Sequence, residues 1–386
     1  MNKALRIAML VGTLGVGGAE KQLYYIAGCL KQADVNIRVY CLTKGEEFEE
    51  KLRLLGVEVI WVGRQKNVLL RLIKIIFLLL QFKPEIVYAT HFYVNLYAAI
   101  SAKFVGGHSI GSLRLDTIHE VERNGMWGKW CLSAPDAIIA NSYRARQNAI
   151  QLGENPDRIF VLPNRIDLKA FDQSANQGHY QKLSENRVLV ASVSRLTQAK
   201  RVDRFISIAE DLKDSSPQFL GVIVGDGPLA DKLKTQANEA GLVPDHLRFW
   251  GHCENIPAFL KICNVLILTS DYEGFPNVVL EAMAAGIPVV AASVGDVDRI
   301  IVKGVNGFVI SPDNHEAFVS ELSSLINSPT LRLAMGTAGR ILVEERHNID
   351  GLQNSVFKIL IEIAKREGNK RLIKQLSVQL RQVDRG

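Results

Sequence analysis

The feature that most constrains the fold of this chain is a regular alternation of short Val- and Ile-rich runs with longer segments of helical period. Seven runs lie in the first half: Leu5–Val11, Val35–Leu42, Val57–Val62, Glu85–Ala89, Ser109–Leu113, Asp136–Ala140 and Arg158–Leu162. Six more lie beyond residue 187: Val188–Val193, Phe219–Val224, Leu247–Trp250, Val265–Leu268, Pro288–Ala291 and Gly307–Ile310. Strands that alternate with helices are typical of parallel sheets covered on both faces. The sequence therefore predicts an α/β fold with two doubly wound, Rossmann-like domains.

The alternation breaks once, and this break predicts the domain boundaries. Residues 164–186 are polar and show no strong period, so we place a linker at 169–186. The N-terminal domain is then 1–168, the C-terminal domain 187–350, and a final helix with a basic tail occupies 351–386. Open parallel sheets bind ligands beyond the carboxyl ends of their strands. Two domains whose carboxyl edges face each other would therefore hold a ligand in an interdomain cleft.

The cysteines and the N-terminal residues argue against a secreted, disulfide-bonded or zinc-binding protein. The five cysteines are scattered, without a CxxC pair or a Cys/His cluster. Neither a disulfide framework nor a zinc site is expected, and reduced thiols suit a cytoplasmic protein. The apolar run Ile7–Val11 is too short for the core of a secretory signal, so no signal peptide is expected.

One apolar stretch and an uneven charge raise the question of a membrane. Val68–Phe82 is interrupted by Arg71 and Lys74 and is shorter than the roughly 20 residues that span a bilayer. It predicts either a helix packed in an α/β layer or one lying on a membrane surface. Residues 1–170 carry 22 Lys and Arg against 15 Asp and Glu, and 365–386 carry seven against two. This excess of basic residues has two interpretations: it binds an anionic lipid surface, or it only keeps the surface of the protein soluble. Without a binding motif or interleaved aromatics, nucleic acid is not an expected partner.

Two glycine-rich turns follow predicted strands. The first, Gly12–Gly18, opens a helix, which either presents free N–H groups to an anion or only makes a tight turn. The second, Gly225–Ala230, has the GxGxxA spacing of a dinucleotide site. Such a site also needs an acidic residue at the end of the next strand, whereas Asp245 precedes that strand. NAD is therefore not an expected cofactor.

The segment that carries the most candidate binding groups is Asp271–Glu281, which follows a predicted strand. Pro276 suits the first position of a helix, so Glu273 is predicted in the loop and Glu281 on the helix, one turn after Asn277. A helix N-terminus flanked by two carboxylates suits a phosphate and sugar hydroxyls. The alternative from these residues alone is two unrelated surface glutamates.

A basic pair occupies an equivalent place in the same domain. Arg195 and Lys200 follow the strand Val188–Val193. The guanidinium can hold a diphosphate with two hydrogen bonds and the ammonium as a point charge, and both would stabilise a departing phosphate. A solvated basic loop is the alternative.

Taken together, these segments resemble the family-4 glycosyltransferases, which are retaining enzymes of the GT-B fold. The resemblance covers nearly the whole chain, and the segments that carry it in order are Gly17–Glu20, Leu162–Asp167, Arg195 with Lys200, Gly225–Pro228, and Glu273 with Glu281. It implies transfer of a hexosyl unit from a nucleotide-diphosphate sugar. The resemblance leaves the base of that nucleotide open, and UDP is the nucleotide that we consider first. The acceptor would be a glycan or a lipid-linked sugar of cell-surface polysaccharide or glycolipid synthesis.

The resemblance also implies a role for each matching residue. The implied catalytic residues are His91, Arg195, Lys200 and Glu273. The residues implied to surround the donor are Gly17, Gly18, Gly274, Phe275, Pro276, Asn277 and Glu281. The residues that would line an acceptor pocket, after the fifth predicted strand, are Arg114, Asp116 and His119. The resemblance also implies that 1–168 binds the acceptor, that 187–350 binds the nucleotide sugar, and that the helix in 351–386 packs back toward the N-terminal domain.

The sequence predicts no metal cofactor and leaves two alternative functions open. No DxD metal motif stands out, so no metal cofactor is expected, and the nucleotide sugar is a substrate. One rival is a nucleotide-sugar 2-epimerase of the same fold, which would need no acceptor. The other is a non-catalytic binding protein that has kept the glycosyltransferase motifs.

Overall fold

The computed structural model describes residues 4–64, 67–177, 180, 187–216 and 218–383. The chain forms two compact units. The N-terminal unit comprises Met1–Arg165 together with Ile349–Gly386, and the C-terminal unit comprises Ile166–Asn348. All thirteen predicted strands are present, and their bounds agree closely with the prediction.

The N-terminal unit is built on a seven-stranded parallel sheet in the order β3-β2-β1-β4-β5-β6-β7. Its strands are β1 Arg6–Val11, β2 Asn36–Cys41, β3 Glu58–Trp61, β4 Ile86–Ala89, β5 His108–Leu113, β6 Ala137–Ala140 and β7 Ile159–Val161. The helices between them are α1 Gly18–Gln32, α2 Glu47–Leu54, α3 Val68–Phe82, α4 Asn95–Val105, α5 Thr117–Ser133 and α6 Tyr143–Gln151. The interior strands β4 and β6 are fully buried, as expected of strands covered on both faces.

The C-terminal unit is built on a six-stranded parallel sheet in the order β10-β9-β8-β11-β12-β13. Its strands are β8 Val188–Val193, β9 Phe219–Val224, β10 Leu247–Gly251, β11 Val265–Leu268, β12 Val289–Ala292 and β13 Gly307–Ile310. Its helices are α7 Leu168–Gln177, α8 Val202–Ser215, α9 Ala230–Glu239, α10 Ile256–Ile262, α11 Asn277–Ala284, α12 Val297–Ile300, α13 His315–Asn327 and α14 Pro329–Arg346.

The last helices return to the N-terminal unit. They are α15 Leu352–Arg366 and α16 Lys370–Val383. Val356 and Phe357 of α15 are buried in the same apolar core as Ile7 of β1. The apolar side of α16 is buried in that core as well, through Leu372 and Leu376. The basic tail of the sequence is thus largely a helix whose apolar side already has a partner.

The linker predicted at 169–186 differs from the structure in its first half. Residues 168–177 form α7, and Leu168, Phe171 and Ala175 are buried in the C-terminal unit. Their spacing of three and four residues is helical, so the segment has a period that its polar composition obscured. Of the second half, residues 178, 179 and 181–186 lie outside the described residues. The units meet in sequence at 165/166 and 348/349, a few residues before the predicted boundaries.

Each sheet has one point where the strand order reverses. In the N-terminal unit it lies between β1 and β4, and in the C-terminal unit between β8 and β11. Loops that leave the carboxyl ends of these adjacent strands run in opposite directions and leave a crevice, the usual ligand site of open α/β sheets. All the candidate donor and catalytic residues lie on or just after such loops.

Candidate functional site

The basic loop after β8 and the acidic loop after β11 meet at the crevice of the C-terminal unit. β8 and β11 are hydrogen-bonded neighbours. The Asp271 N–H donates to the carbonyl oxygen of Ala199 at 2.8 Å. The Thr269 hydroxyl donates to the Lys200 carbonyl oxygen at 3.2 Å. Strand pairing and these two bonds therefore fix the two loops against each other before any ligand binds.

Lys200 and Glu273 form an ion pair within this site. Lys200 Nζ donates to Glu273 Oε1 at 2.6 Å, and the Ser270 hydroxyl donates to the same oxygen at 2.7 Å. The side chain of Glu273 is 8% exposed and that of Lys200 is 26% exposed. The carboxylate is thus buried and held by a charge, while the ammonium still reaches solvent. Because an ammonium carries three N–H groups, two remain for an incoming anion.

Asp271 forms a second ionic cluster beside this pair. Its carboxylate accepts hydrogen bonds from Arg204 at 2.5 Å and from Arg201 at 3.2 Å. Arg201 lies in the left-handed backbone region, with φ of 46°, between a short 3₁₀ turn and α8. The cluster holds this unusual turn, and with it Lys200 one residue earlier, against the β11 loop.

Arg195 lies on the same loop as Lys200 but is differently placed. It is exposed, and its guanidinium forms no ion pair with any residue that the structure describes. The backbone around it is held by the turn after β9, since the Leu196 N–H donates to the Asp226 carbonyl oxygen at 2.9 Å. A cation held on a fixed backbone and open to solvent can bind an anionic ligand.

The glycines of the turn after β9 have a structural task. A Cβ on Gly225 would overlap the carbonyl oxygen of Ser194, and Gly225 has a φ of 125°. A Cβ on Gly227 would lie 2.5 Å from the carbonyl oxygen of Leu196. Both contacts are with the backbone on either side of Arg195, so these glycines allow two loops to pack closely. This accounts for a GxGxxA spacing without a dinucleotide.

The segment from Gly274 to Asn277 leads into α11. Gly274, Phe275 and Pro276 are buried, and the helix begins at Asn277, one residue later than predicted. The Phe275 ring packs on the His347 ring with 5.6 Å between centroids. Glu281 lies half-buried inside α11, one turn after Asn277. The N-terminal N–H groups of this helix and the Glu273 loop therefore belong to one continuous segment.

The loop before α12 packs on the Glu273 loop. Gly295 has a φ of 57°, and a Cβ there would lie 2.6 Å from the Gly274 carbonyl oxygen. Asp298, at the start of α12, is exposed and accepts a hydrogen bond from the Ser293 hydroxyl at 2.8 Å. The backbone of this loop thus packs against Glu273 and Gly274, whereas the Asp298 carboxylate is hydrogen-bonded within its own loop, to Ser293.

In the N-terminal unit, His91 lies at the crevice between β1 and β4. Its Nδ1 accepts a hydrogen bond from the Gly12 N–H at 3.3 Å. Nε2 therefore carries the proton, and it faces Glu20 Oε1 at 3.1 Å. Glu20 is itself buried. The glycine loop and a carboxylate on α1 together fix the tautomer and orientation of the His91 ring.

Glu20 ends the matching segment Gly17–Glu20, but the sequence reasoning gave this residue no role. It occupies the first turn of α1, beyond Gly17 and Gly18, and a Cβ on Gly17 would overlap its Oε2. The available signal was an acidic residue three positions after a glycine N-cap. Because that signal is local, it could not indicate a histidine 71 residues away.

The glycine loop is anchored on its other side by Glu46. The Thr13 hydroxyl donates to both oxygens of this carboxylate, at 2.9 and 3.0 Å. The Leu14 N–H and the Thr43 hydroxyl donate to it as well. Burial alone would raise the pKa of Glu46, but these hydrogen bonds outweigh it, so the pKa is lowered. An ionised Glu46 thus holds the loop in place.

Two of the residues predicted to line an acceptor pocket are engaged within the N-terminal unit. Arg114 is buried and donates to the Tyr88 hydroxyl at 2.9 Å. Asp116 caps α5 by accepting from the His119 N–H at 3.0 Å. His119 is itself half-buried. Glu120 follows on α5 with an enclosed carboxyl group, and its burial raises its pKa to about 8. All four lie close in sequence near the carboxyl end of β5, where the crevice-forming loops of a parallel sheet begin.

Two absences apply to the described part of the chain. No group of three or more His, Cys, Asp or Glu there is arranged to hold a metal ion. None of the helices described is both long enough and apolar enough to span a bilayer.

Two family models match this chain and together cover most of it. The model described as Glycosyltransferase Family 4 matches residues 16–170, and the model described as Glycosyl transferases group 1 matches residues 177–341. The two matches divide close to the boundary between the structural units. Each unit therefore corresponds to one of the two models.

Curated relatives and solved structures give further resemblances. The UDP-Gal:alpha-D-GlcNAc-diphosphoundecaprenol alpha-1,3-galactosyltransferase of Escherichia coli is 28% identical over 189 residues, 47% of this chain and 49% of that protein. The lipopolysaccharide core biosynthesis mannosyltransferase LpcC of Rhizobium leguminosarum bv. viciae is 29% identical over 221 residues, 55% of this chain and 61% of that protein. The aligned regions thus span about half the length of these relatives. A crystal structure of Anabaena Alr3699/HepE in complex with UDP-glucose matches 92% of this chain and 99% of that chain, with a TM-score of 0.82 at 22% identity.

Proposed function

This chain belongs to the family-4 glycosyltransferases and has the GT-B fold, and we propose that it is a retaining hexosyltransferase that uses a UDP-sugar. The proposed acceptor is a hydroxyl group of a glycan or lipid-linked sugar in cell-surface polysaccharide or glycolipid synthesis. Relatives named as galactosyl- and mannosyltransferases support the reaction class. A solved neighbour whose name includes UDP-glucose supports the choice of donor. The proposed location is the cytoplasm, at the inner face of the membrane.

The observation that carries this proposal is the joined pair of loops at the β8–β11 crevice. Arg195 and Lys200 supply two cations on a fixed backbone, and α11 begins at the end of the opposite loop. We propose that these groups hold the donor diphosphate and stabilise its charge as the sugar departs. Glu281, on α11, would accept hydrogen bonds from the ribose hydroxyls.

Glu273 has two tasks in this proposal. Its Oε1 accepts the bonds from Lys200 and Ser270, so Oε2 is the oxygen that would accept from hydroxyls of the transferred sugar. The same carboxylate therefore positions the ammonium that neutralises the phosphate. The buried backbone of Gly274, Phe275 and Pro276 would form the wall around the sugar.

The N-terminal unit supplies the remaining proposed contacts. His91, held with a proton on Nε2, would hydrogen-bond to the reacting sugar, and Gly17 and Gly18 would let the backbone approach the diphosphate. We propose front-face substitution: the bond from the anomeric carbon to the phosphate oxygen breaks, and the acceptor oxygen attacks from the same face. The departing phosphate oxygen takes the acceptor proton. Arg114, Asp116 and His119 are the proposed acceptor side of the unit.

Nucleotide binding tests the donor site directly. Purified protein is heated with UDP, GDP or ADP, because a ligand of the folded state raises the melting temperature by mass action. UDP should give the largest shift, and Glu281→Ala should abolish it. Glu239→Ala, an exposed glutamate at the end of α9, is the matched control and should retain the shift. A shift that survives in Glu281→Ala would contradict the proposed ribose contact.

Measurements of turnover distinguish glycosyl transfer from epimerisation and from binding without catalysis. Arg195→Ala and Lys200→Ala should lower kcat more than they weaken donor binding, because their charge is most needed as the phosphate leaves. Equal losses in kcat and in binding would count against this role. Release of a 2-epimer without acceptor would favour the epimerase, and absence of turnover with every donor and acceptor would favour a binding protein. The reaction should also persist in EDTA, since no metal cofactor is proposed.

A further inference from the structure

We infer that α3 is a membrane-binding helix whose outer face inserts into the surface of an anionic lipid bilayer. The outer face consists of Leu69, Leu70, Ile73, Phe77 and Leu80. All five side chains are 45–63% exposed. The inference rests on the proposed function and deepens it, since it names the surface at which a lipid-linked acceptor would be met.

Helix geometry shows that α3 is apolar on both sides. Ile75, Leu79 and Phe82 lie on one side and are buried in the core of the N-terminal unit. The outer face is on the opposite side, because Leu69, Ile73 and Phe77 repeat every four residues. An apolar face of a helix is expected to be covered by another apolar surface. Here the fold covers only the inner side.

The outer face is contiguous rather than a set of scattered side chains. Residues four apart lie one above the other on a helix, so the five form a single stripe along its length. The stripe continues into a groove between α3 and the helices α4 and α5, which is lined by Leu69, Leu72, Ile100 and Trp127. An exposed apolar surface of this kind marks a site of interaction.

The basic residues around the stripe indicate that its partner is an anionic lipid bilayer. Residues 61–83 contain five Lys or Arg and no Asp or Glu. Arg64, Lys74 and Lys83 are exposed, and Lys74 lies on α3 itself. A helix with an apolar face and long basic side chains beside it suits a bilayer surface, since the basic groups reach anionic headgroups while the apolar groups enter the acyl region.

The same charge argues against a second copy of the chain as the partner. A twofold contact through this face would bring the basic residues of one copy against those of the other. That contact would be electrostatically unfavourable, whereas an anionic bilayer would attract the exposed Arg64, Lys74 and Lys83. The stripe is also too short to span a bilayer, so it would lie along the surface.

Vesicle binding tests the inference with the full chain. Vesicles of phosphatidylcholine alone are compared with vesicles containing about 30% phosphatidylglycerol, a composition chosen for a clear contrast in surface charge. We expect at least about tenfold tighter binding to the anionic vesicles, and weaker binding in high salt because surface attraction is screened. Arg64→Gln with Lys74→Gln should reduce the preference for anionic lipid. Equal binding to both vesicles, insensitive to salt, would overturn the inference.

A pair of matched double variants isolates the outer face. Ile73→Ser with Phe77→Ser removes apolar groups from the stripe and should weaken vesicle binding at least about tenfold. Leu333→Ser with Ile341→Ser is the control, because both residues are exposed apolar residues of α14 in the other unit. Equal effects of the two pairs would refute a specific role for α3. A wild-type dimer that only the first pair dissociates would overturn the inference by showing that a second copy covers the face.

A fluorescent label reports insertion at a chosen residue. All five native cysteines are buried, so a new surface thiol is preferentially labelled. An environment-sensitive dye on Phe77→Cys should shift to the blue with anionic vesicles, whereas the same dye on Leu333→Cys should not. An unshifted dye at both positions would overturn the inference. The thermal shift with UDP is measured on every variant: its retention in the α3 variants keeps failure of membrane binding distinct from failure of the donor site.

Discussion

The ion pair between Lys200 and Glu273 should couple the stability of the two loops at the donor site. The test is a double-mutant cycle of Lys200→Met, Glu273→Gln and the combined variant in ligand-free protein. Methionine keeps much of the apolar length of lysine without its charge. Glutamine keeps the shape of glutamate and an oxygen that can accept the Ser270 hydrogen bond. The cycle therefore removes charge with little change in packing.

The expected magnitudes follow from burial. Removing one partner of a buried ion pair costs about 3–5 kcal/mol, because a charge is left unpaired. Here the Lys200 side chain is 26% exposed and Ser270 still donates to the carboxylate, so we expect about 2 kcal/mol for Lys200→Met. Glu273→Gln should cost about 1 kcal/mol, because the ammonium can regain water. The combined variant leaves no unpaired charge and should cost about 1.5 kcal/mol.

The measurement is urea unfolding followed by circular dichroism, with the slope of each transition compared across variants. The single losses together should exceed the loss in the combined variant by about 1–2 kcal/mol, the coupling energy of the pair. Additive losses, with a coupling energy below about 0.5 kcal/mol, would refute the reasoning. Such a result would mean that the pair exists without energetic consequence in the ligand-free protein.

Three further predictions concern other parts of the two units. Gly225→Ala should destabilise the protein by more than about 2 kcal/mol in thermal unfolding and abolish the UDP shift, because the new methyl group overlaps backbone. Gly241→Ala, also at positive φ but in open space, is the control and should cost about 1 kcal/mol. Glu120→Gln should flatten part of the pH dependence of stability: its pKa is about 8 when folded and about 4.5 otherwise, so the folded chain holds a proton that the unfolded chain releases. Wild-type stability should thus fall by on the order of 4 kcal/mol between pH 4.5 and 8 relative to the variant. Glu20→Gln should lower kcat about fivefold while leaving donor KM nearly unchanged, since it weakens a charge-assisted bond that only orients His91.

Distinct outcomes would contradict each of these three. Equal destabilisation by the two alanine variants would show that the backbone contact of Gly225 is unimportant. Parallel curves of stability against pH for the wild type and Glu120→Gln would show that this carboxyl group does not titrate between pH 4.5 and 8. A Glu20→Gln enzyme with the pH profile and kcat of the wild type would show that His91 is oriented without the carboxylate.

The strands were predictable because their signal is local. The run Phe219–Val224, which forms β9, has no polar side chain, and only a strand buried on both faces accounts for so short a run between polar turns. The polar segments at the carboxyl ends of such strands were predictable for the same reason. Arg195, Lys200, Glu273 and Glu281 therefore fall in the loops and the helix expected of them.

Local composition was misleading where the helical segment was short, because few residues then reveal its period. The segment 168–177 is polar enough to suggest a linker, yet Leu168, Phe171 and Ala175 bury one side of α7. Three apolar positions in about ten residues give a weak periodic signal, and its meaning depends on whether a surface is present to cover them.

Pairings between distant residues were beyond the reach of the sequence. Nothing local indicates that Glu20 faces His91, or that Lys200 bonds to Glu273, because the partners are 71 and 73 residues apart and are brought together by strand order. The same limit applies to α3, whose composition fitted both a packed helix and a surface helix.

The sequence by itself determined the thirteen strands, the two-unit α/β architecture and the positions of the candidate groups along it, since each depends on the residues of one short segment. The tertiary structure decided which strands are neighbours, which charges meet and which apolar face of α3 stays uncovered. These depend on the relative placement of distant segments within each unit. The identity of an apolar residue does not indicate whether another part of the fold will cover its side chain.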